Sequence, residues 1–296
     1  MRHSGIAFLL LAGCFGLLAV LETLALRGTV RSDKDTTGRA VTNFGFALLV
    51  MLASGTPLLV RIGASSIGAD HGLGWARHWT PGWPLTVLVT LTLQSSAAYW
   101  VHRLFHAVPL LWRIHRVHHS DEHLDISTGL RNHPLELAMA VPVSAAVVLM
   151  SGAPVSVVIA VDTLLFAASL WQHADFPLPA LLERTLGSVF VTPDLHRSHH
   201  APARRLHDGN YGDILILWDR LFGTVTQRSP RSARVGLDHQ RARHDDLIGQ
   251  FLAPFDPFDV GGEVEPTSGT YGKGDQGVED RAGPEMTDTD RRFHRP

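Results

Sequence analysis

The sequence predicts an all-α protein: an integral membrane helical bundle with a water-exposed, histidine-rich end. The first observation behind this is segregation. Residues 5–26 and 83–101 are nearly free of charge, whereas residues 196–296 are rich in Arg, Asp, Gly and Pro, as in a membrane protein with one wet end. The second is the histidines. The stretch HRLFHAVPLLWRIHRVHH at 102–119 holds His102, His106, His115, His118 and His119, and HRSHH at 196–200 repeats the HRVHH spacing with His196, His199 and His200. On a helix, residues three and four apart share a face, so each of these sets can aim at one point.

Taken in order, residues 5–26 are long enough to cross a bilayer, which needs roughly 20 apolar residues. Leu11-Ala12-Gly13-Cys14 resembles a lipoprotein cleavage box, but the residues after Cys14 stay apolar apart from Gly16, Glu22 and Thr23. A retained helix is therefore expected rather than a cleaved signal. A polar loop follows at 27–40, with Arg27, Arg31, Lys34 and Arg39 against Asp33 and Asp35. Residues 41–62 form a second apolar run ending near Arg61, and 63–82 read as a loop carrying Gly, Pro and Trp. The third run, 83–101, closes with Tyr99, Trp100 and Val101 and delivers His102 where the chain leaves the membrane.

After a polar stretch at 120–134, two apolar runs at 135–150 and 155–170 flank Ser151-Gly152-Ala153-Pro154, a helical hairpin break. Each is slightly short for a full span, so partial insertion is allowed. Asp162 lies inside the second run; an acid at that depth faces the bundle interior, either for function or for a hydrogen bond to a neighbouring helix. His173 marks the next exit. Beyond about 257, Gly, Asp, Glu, Pro and Thr without periodicity predict disorder. The expected organisation is 1–82, two N-terminal membrane helices and loops; 83–224, the histidine-bearing domain; and 225–296, a C-terminal segment.

Charge and cysteine content narrow the chemistry. With 26 basic and 28 acidic residues there is no basic field for nucleic acid. The lone Cys14 excludes an internal disulfide and a cysteine zinc cluster. If the basic loop at 27–40 is cytoplasmic, the crossings bring His102, His173 and the C-terminal triplet to that same face. Imidazole is a common ligand for iron, zinc, copper and nickel. Nine histidines exceed the needs of one ion, so two adjacent ions are the economical expectation. Partners for the rings are expected among Asp121, Glu122, Asp175, Asp194, Asp208 and Asp219.

These residues resemble the fatty acid hydroxylase / sterol desaturase superfamily. The resemblance rests on HRLFH at 102–106, HRVHH at 115–119, NHPLE at 132–136, QHADFP at 172–177, HRSHH at 196–200, NYG at 210–212 and WDRLFGT at 218–224, from about 84 to 224. It implies a membrane bundle capped by a cytosolic helical domain that holds two iron ions, with O2 as oxidant and a lipid C–H bond (sterol, fatty acyl or related) hydroxylated or desaturated. By position the implied ligands are His102, His106, His115, His118, His119, His173, His196, His199 and His200. His133 is a weaker candidate because Pro134 suggests a turn, and His123 and His207, outside the motifs, are expected to face solvent. Nothing resembles a Rossmann fingerprint or a haem-attachment motif, so electrons are expected from a separate reductase, ferredoxin or cytochrome. Two other classes compete. A zinc hydrolase lacks H-E-x-x-H, and a metal transport or storage protein calls for ligands spread through membrane depth.

Overall fold

The computed structural model describes residues 2–26, 36–54, 57–78, 82–226, 228, 234–237 and 245–256. Among these the regular structure is helical, apart from an antiparallel bridge between Phe190 and Leu215. The expected disorder beyond 257, and residues 27–35 of the basic loop, lie outside the described residues.

Helix α1 (Arg2–Ala25) runs along α8 (Val155–His173). Its Glu22 is buried and accepts a hydrogen bond from the backbone N–H of Asp175 at 2.6 Å. That contact explains an acid in an apolar run: it ties the end of α1 to the chain just beyond α8. The second apolar run forms α2 (Thr36–Ser54) and contributes to α3 (Pro57–Asp70), where proline occupies the first position as helix starts favour. The loop expected over 63–82 is thus helical to Asp70, followed by a short α4 (Trp75–His78).

Helix α5 (Trp83–Ala107) buries Thr86, Thr90, Gln94 and Ser95 and continues through His102 and His106 rather than ending at Val101. Among the described residues three stretches are long and apolar enough to cross a membrane: Thr37–Asp70, Pro134–Ser151 and Val155–His173. α5, with its polar residues, is not one of them. α7 (Pro134–Ser151) and α8 are longer than the runs read from sequence and form the expected hairpin. Gly152 closes α7 in the left-handed conformation, φ 67°. The backbone at Gly74 comes so near that a Cβ there would lie 2.1 Å from the Gly152 nitrogen, so neither position accepts a side chain.

Leu58, Val148, Val157, Val158 and Val161 form the core where α3 meets this hairpin. The outer surface is apolar, with Leu9 on α1, Leu52 on α2 and Met150 on α7 each more than 70% exposed. A surface of that kind needs lipid rather than water around it.

Below the hairpin, α6 (Pro109–His119), the 3-10 turn Ile126–Leu130, α9 (Ala180–Leu186), α10 (Pro193–His199), α11 (Arg204–His207), α12 (Leu217–Leu221) and α13 (Leu247–Leu252) make the cap. A buried polar network fastens it to α2. The Arg39 guanidinium donates to Asp121 at 2.6 and 3.0 Å and to Asp125 at 3.0 Å. Asn43 and Thr128 donate to the same Asp121 carboxylate at 3.2 and 2.8 Å. Arg131 donates to the Val117 carbonyl at 2.9 Å and the Ser120 hydroxyl at 2.8 Å. The turn after HRVHH is thereby fixed from three sides.

Candidate metal centre

Four separate elements deliver imidazoles to one point. The i, i+4 spacing puts His102 and His106 on one side of the last turns of α5. Extended Val108 followed by Pro109 breaks the helix and starts α6, which buries His115, His118 and His119. His173 is the last residue of α8. Thr192 caps α10, its hydroxyl accepting from the Leu195 N–H, and Pro193 occupies the first turn. This short helix carries His196 and His199, with His200 in its C-cap.

The nine rings form two groups. His102, His106, His115, His119 and His199 make one, and His118, His173, His196 and His200 the other, with ligand-capable atoms within 4.8 Å of one another in each. The groups abut: the His119 and His200 rings stack with centroids 4.5 Å apart.

The hydrogen bonds fix the tautomers. His102 Nδ1 donates to the Tyr211 carbonyl at 2.9 Å, His199 Nδ1 to the Gly209 carbonyl at 2.7 Å, and His173 Nδ1 to the Ser169 carbonyl at 2.6 Å. A carbonyl can only accept, so each Nδ1 carries the hydrogen and each Nε2 of a neutral ring presents a lone pair. Between His102 and His199 those lone pairs point at each other. His199 Nε2 lies 3.0 Å from His102 Nε2, and His173 Nε2 lies 3.1 and 3.0 Å from His118 and His196 Nε2. Protonation does not relieve the crowding: burial, followed by neighbouring imidazoles, holds His118, His119, His196 and His200 well below the usual histidine range. Eight further ring nitrogens in the two groups are buried without a hydrogen-bond partner, including both of His106 and both of His119. Each would cost roughly 1–3 kcal/mol. Converging neutral donors of this kind suit a divalent transition metal in each group.

Around the rings, His115 Nδ1 donates to Glu136 Oε1 at 2.9 Å. Glu136 was not among the acids expected from sequence; its signal was its place in NHPLE, beside the helix cap. Of those expected, Asp219 accepts from the backbone N–H groups of Tyr211 and Gly212, both at 2.8 Å, and so holds the loop whose carbonyl binds His102. Asp208 comes within 3.5 Å of His106 Nδ1. Asp121 serves Arg39 rather than a histidine, and Asp175 lies 3.8 Å from Arg197.

His133 falls in neither group. Its Nδ1 accepts from the Leu135 N–H at 3.1 Å as the cap of α7, and its Nε2 meets the Phe251 carbonyl at 3.1 Å. His123 is exposed as expected. His207 is not: it is buried and stacks on Trp112, centroids 5.3 Å apart, beside the first group.

A cavity of about 300 Å³ opens on the rings. His102, His115, His118, His173 and His196 line one end, and Ala97, Val101, Leu137, Ala140 and Leu165 line the walls. A narrow, mostly apolar space of this volume is at the small end of ligand sites and suits a hydrocarbon segment.

Residues 87–224 match the model of the fatty acid hydroxylase family. Over these residues, just under half of its length, the chain is similar to the fatty acid hydroxylase family. Its relatives include an ornithine lipid hydroxylase of Rhizobium tropici, 27% identical over 73% of this chain and 63% of the relative. An alkylglycerol monooxygenase of Danio rerio is 34% identical over 61% of this chain and 38% of its own length. A methylsterol monooxygenase of Aspergillus fumigatus is 29% identical over 50% of this chain and 49% of its own. The chain thus spans less than two thirds of each of these relatives. No solved structure matches. Every histidine of the two groups lies inside the segment shared with the fatty acid hydroxylase family.

Proposed function

We propose that this chain is a membrane-bound oxygenase that hydroxylates an unactivated C–H bond of a lipid, with two iron ions held by the two histidine groups. The observation that carries the reading is the pair of abutting imidazole groups at the mouth of an apolar cavity, in a chain whose relatives are lipid hydroxylases and monooxygenases. His102, His106, His115, His119 and His199 would hold one iron, and His118, His173, His196 and His200 the other. Bound iron supplies from O2 the oxidising power that a lipid C–H bond demands, which redox-inert zinc does not.

The chain's own residues do the rest. The carbonyls of Tyr211, Gly209 and Ser169, with the Glu136 carboxylate, hold four rings in one tautomer and one orientation. The cavity walls exclude water and keep a hydrocarbon segment next to the rings. Electrons come from a separate reductase, ferredoxin or cytochrome, and the histidine end faces the cytoplasm, as the basic residues around it favour. A transport protein would spread its ligands through membrane depth, whereas these nine gather at one end of α5 and α8.

The test is incubation of the purified protein with a lipid extract, an external reductant and labelled O2. A lipid product carrying one labelled oxygen is expected. Reductant consumption without label in any lipid overturns the reading.

A further inference from the structure

The end of the cavity away from the histidines is polar, and it is built from helices that also carry its apolar walls. Arg61, on α3, lines it together with Gln94 of α5 and Ser144 of α7. On α7, about 12 Å of helix rise separates Ser144 from Glu136, so this end lies deep among the apolar helices. An arginine there is expensive and points to a function for its charge.

Its bonds show what is left over. Arg61 Nε pairs with Asp162 Oδ2 at 2.8 Å, and Nη1 donates to the Ser144 hydroxyl at 3.0 Å. The third nitrogen, Nη2, makes no hydrogen bond to any described residue. Gln94 Nε2 donates to the Ser144 carbonyl at 2.9 Å, which fixes the amide orientation and leaves Oε1 without a hydrogen bond among the described residues. The Ser144 hydroxyl itself is spent on the Val141 carbonyl and on Arg61. Arg61 Nη2 as donor and Gln94 Oε1 as acceptor therefore remain at the cavity end. The charge there is already balanced, because Asp162 neutralises Arg61. An anion entering would bring an uncompensated charge into a medium of low dielectric.

We propose that Arg61 and Gln94 bind a neutral group that both accepts and donates a hydrogen bond, a hydroxyl or a secondary amide, on the lipid whose chain fills the cavity. Arg61 donates to its oxygen through Nη2, and Gln94 Oε1 accepts its O–H or N–H. The site fixes how far the chain slides and hence which carbon stands at the histidines. Arg61 lies outside residues 87–224, so part of this selectivity comes from α3, outside the segment that carries the rings. The proposal names the substrate class for the oxygenase reading and rests on it, but its test needs no turnover.

Full-length protein in nanodiscs is equilibrated with equal amounts of hexadecanol, hexadecyl methyl ether and hexadecane, and the retained molecules are weighed by native mass spectrometry. Hexadecanol is expected to be retained about tenfold over hexadecane, the scale of a hydrogen bond to a charged group, with the ether between them. In R61M/D162N, which keeps the site neutral, the ether falls level with hexadecane and the alcohol keeps only the smaller lead that Gln94 gives it, while bound metal per chain is unchanged. In Q94L the alcohol and ether become equal, both still ahead of the alkane; this variant carries the test if the double variant does not fold. Equal retention of the three in the wild type, or ratios among the three that neither variant changes, overturns the proposal. A wild type that prefers the alcohol yet labels no lipid keeps this site and loses the oxygenase reading.

Discussion

His102 and His199, ninety-seven positions apart in sequence, face each other through Nε2 at 3.0 Å while each donates its Nδ1 hydrogen to a backbone carbonyl. Two neutral rings so arranged bring lone pair to lone pair, and a cation between them converts that repulsion into a bond. His102→Ala is accordingly expected to remove one metal per chain and abolish oxygenation, with the second group still loaded. Metal analysis of the purified variant checks this; a variant that keeps both metals contradicts it.

Glu136→Gln keeps the shape of the side chain but weakens its hold on His115 Nδ1. Loss of an outer partner of this kind costs roughly 10–100-fold in metal affinity or activity. The expected signature is faster loss of metal to a chelator at unchanged thermal stability. An unchanged release rate would show that the carboxylate does not tune the ring.

Arg39→Met leaves Asp121 buried without its main cation. Breaking a buried pair from one side costs about 3–5 kcal/mol, and the turn after HRVHH loses its tether to α2. A lower denaturation midpoint is expected, partly recovered in R39M/D121N. A variant as stable as the wild type would mean that the network is dispensable.

Acid should destabilise the metal-free protein. His118, His119, His196, His199 and His200 sit well below the ordinary value of 6.5, chiefly through burial. Their folded-state values lie below the unfolded one, so stability is full above pH 6.5 and is lost as the pH falls from there. Each ring contributes up to about 1.4 kcal/mol per pH unit. Asp213, pushed up to about 7 by burial, works in the opposite sense between its ordinary value of 3.8 and 7, because the fold then binds the extra proton. It offsets about one ring, and the net slope keeps its sign. Denaturation of the metal-free protein at pH 7 and pH 5.5 checks this: the midpoint drops at 5.5, and an unchanged or higher midpoint contradicts it.

What could be read from the sequence was whatever depends on short spacings. The HRVHH and HRSHH triplets lie within about one helical turn, so the helix period brings their rings to one side, and His102 with His106 follows the same rule; that each triplet is divided between the two groups, His118 apart from His115 and His119 and His199 apart from His196 and His200, was not legible. His173 was legible only because the apolar run of α8 ends there. The ring partners were not legible. Glu136 reaches His115 because α7 begins beside α6, a tertiary fact, and the Tyr211, Gly209 and Ser169 carbonyls belong to backbone that no side-chain pattern marks. His207 was expected in solvent because it lies outside the matched motifs; stacking on Trp112 buries it instead. The helix from Pro57 to Asp70 was read in part as loop because Gly, Ser and Asp dilute its apolar signal, and its packing on α7 and α8 outweighs that composition.

The most direct test of the central claim is metal content after anaerobic purification with intact lipid. Two irons per chain are expected, falling to one when His102 or His173 is replaced by alanine. A preparation that carries zinc alone, or one iron that neither substitution removes, would contradict a pair of iron sites built from these nine histidines.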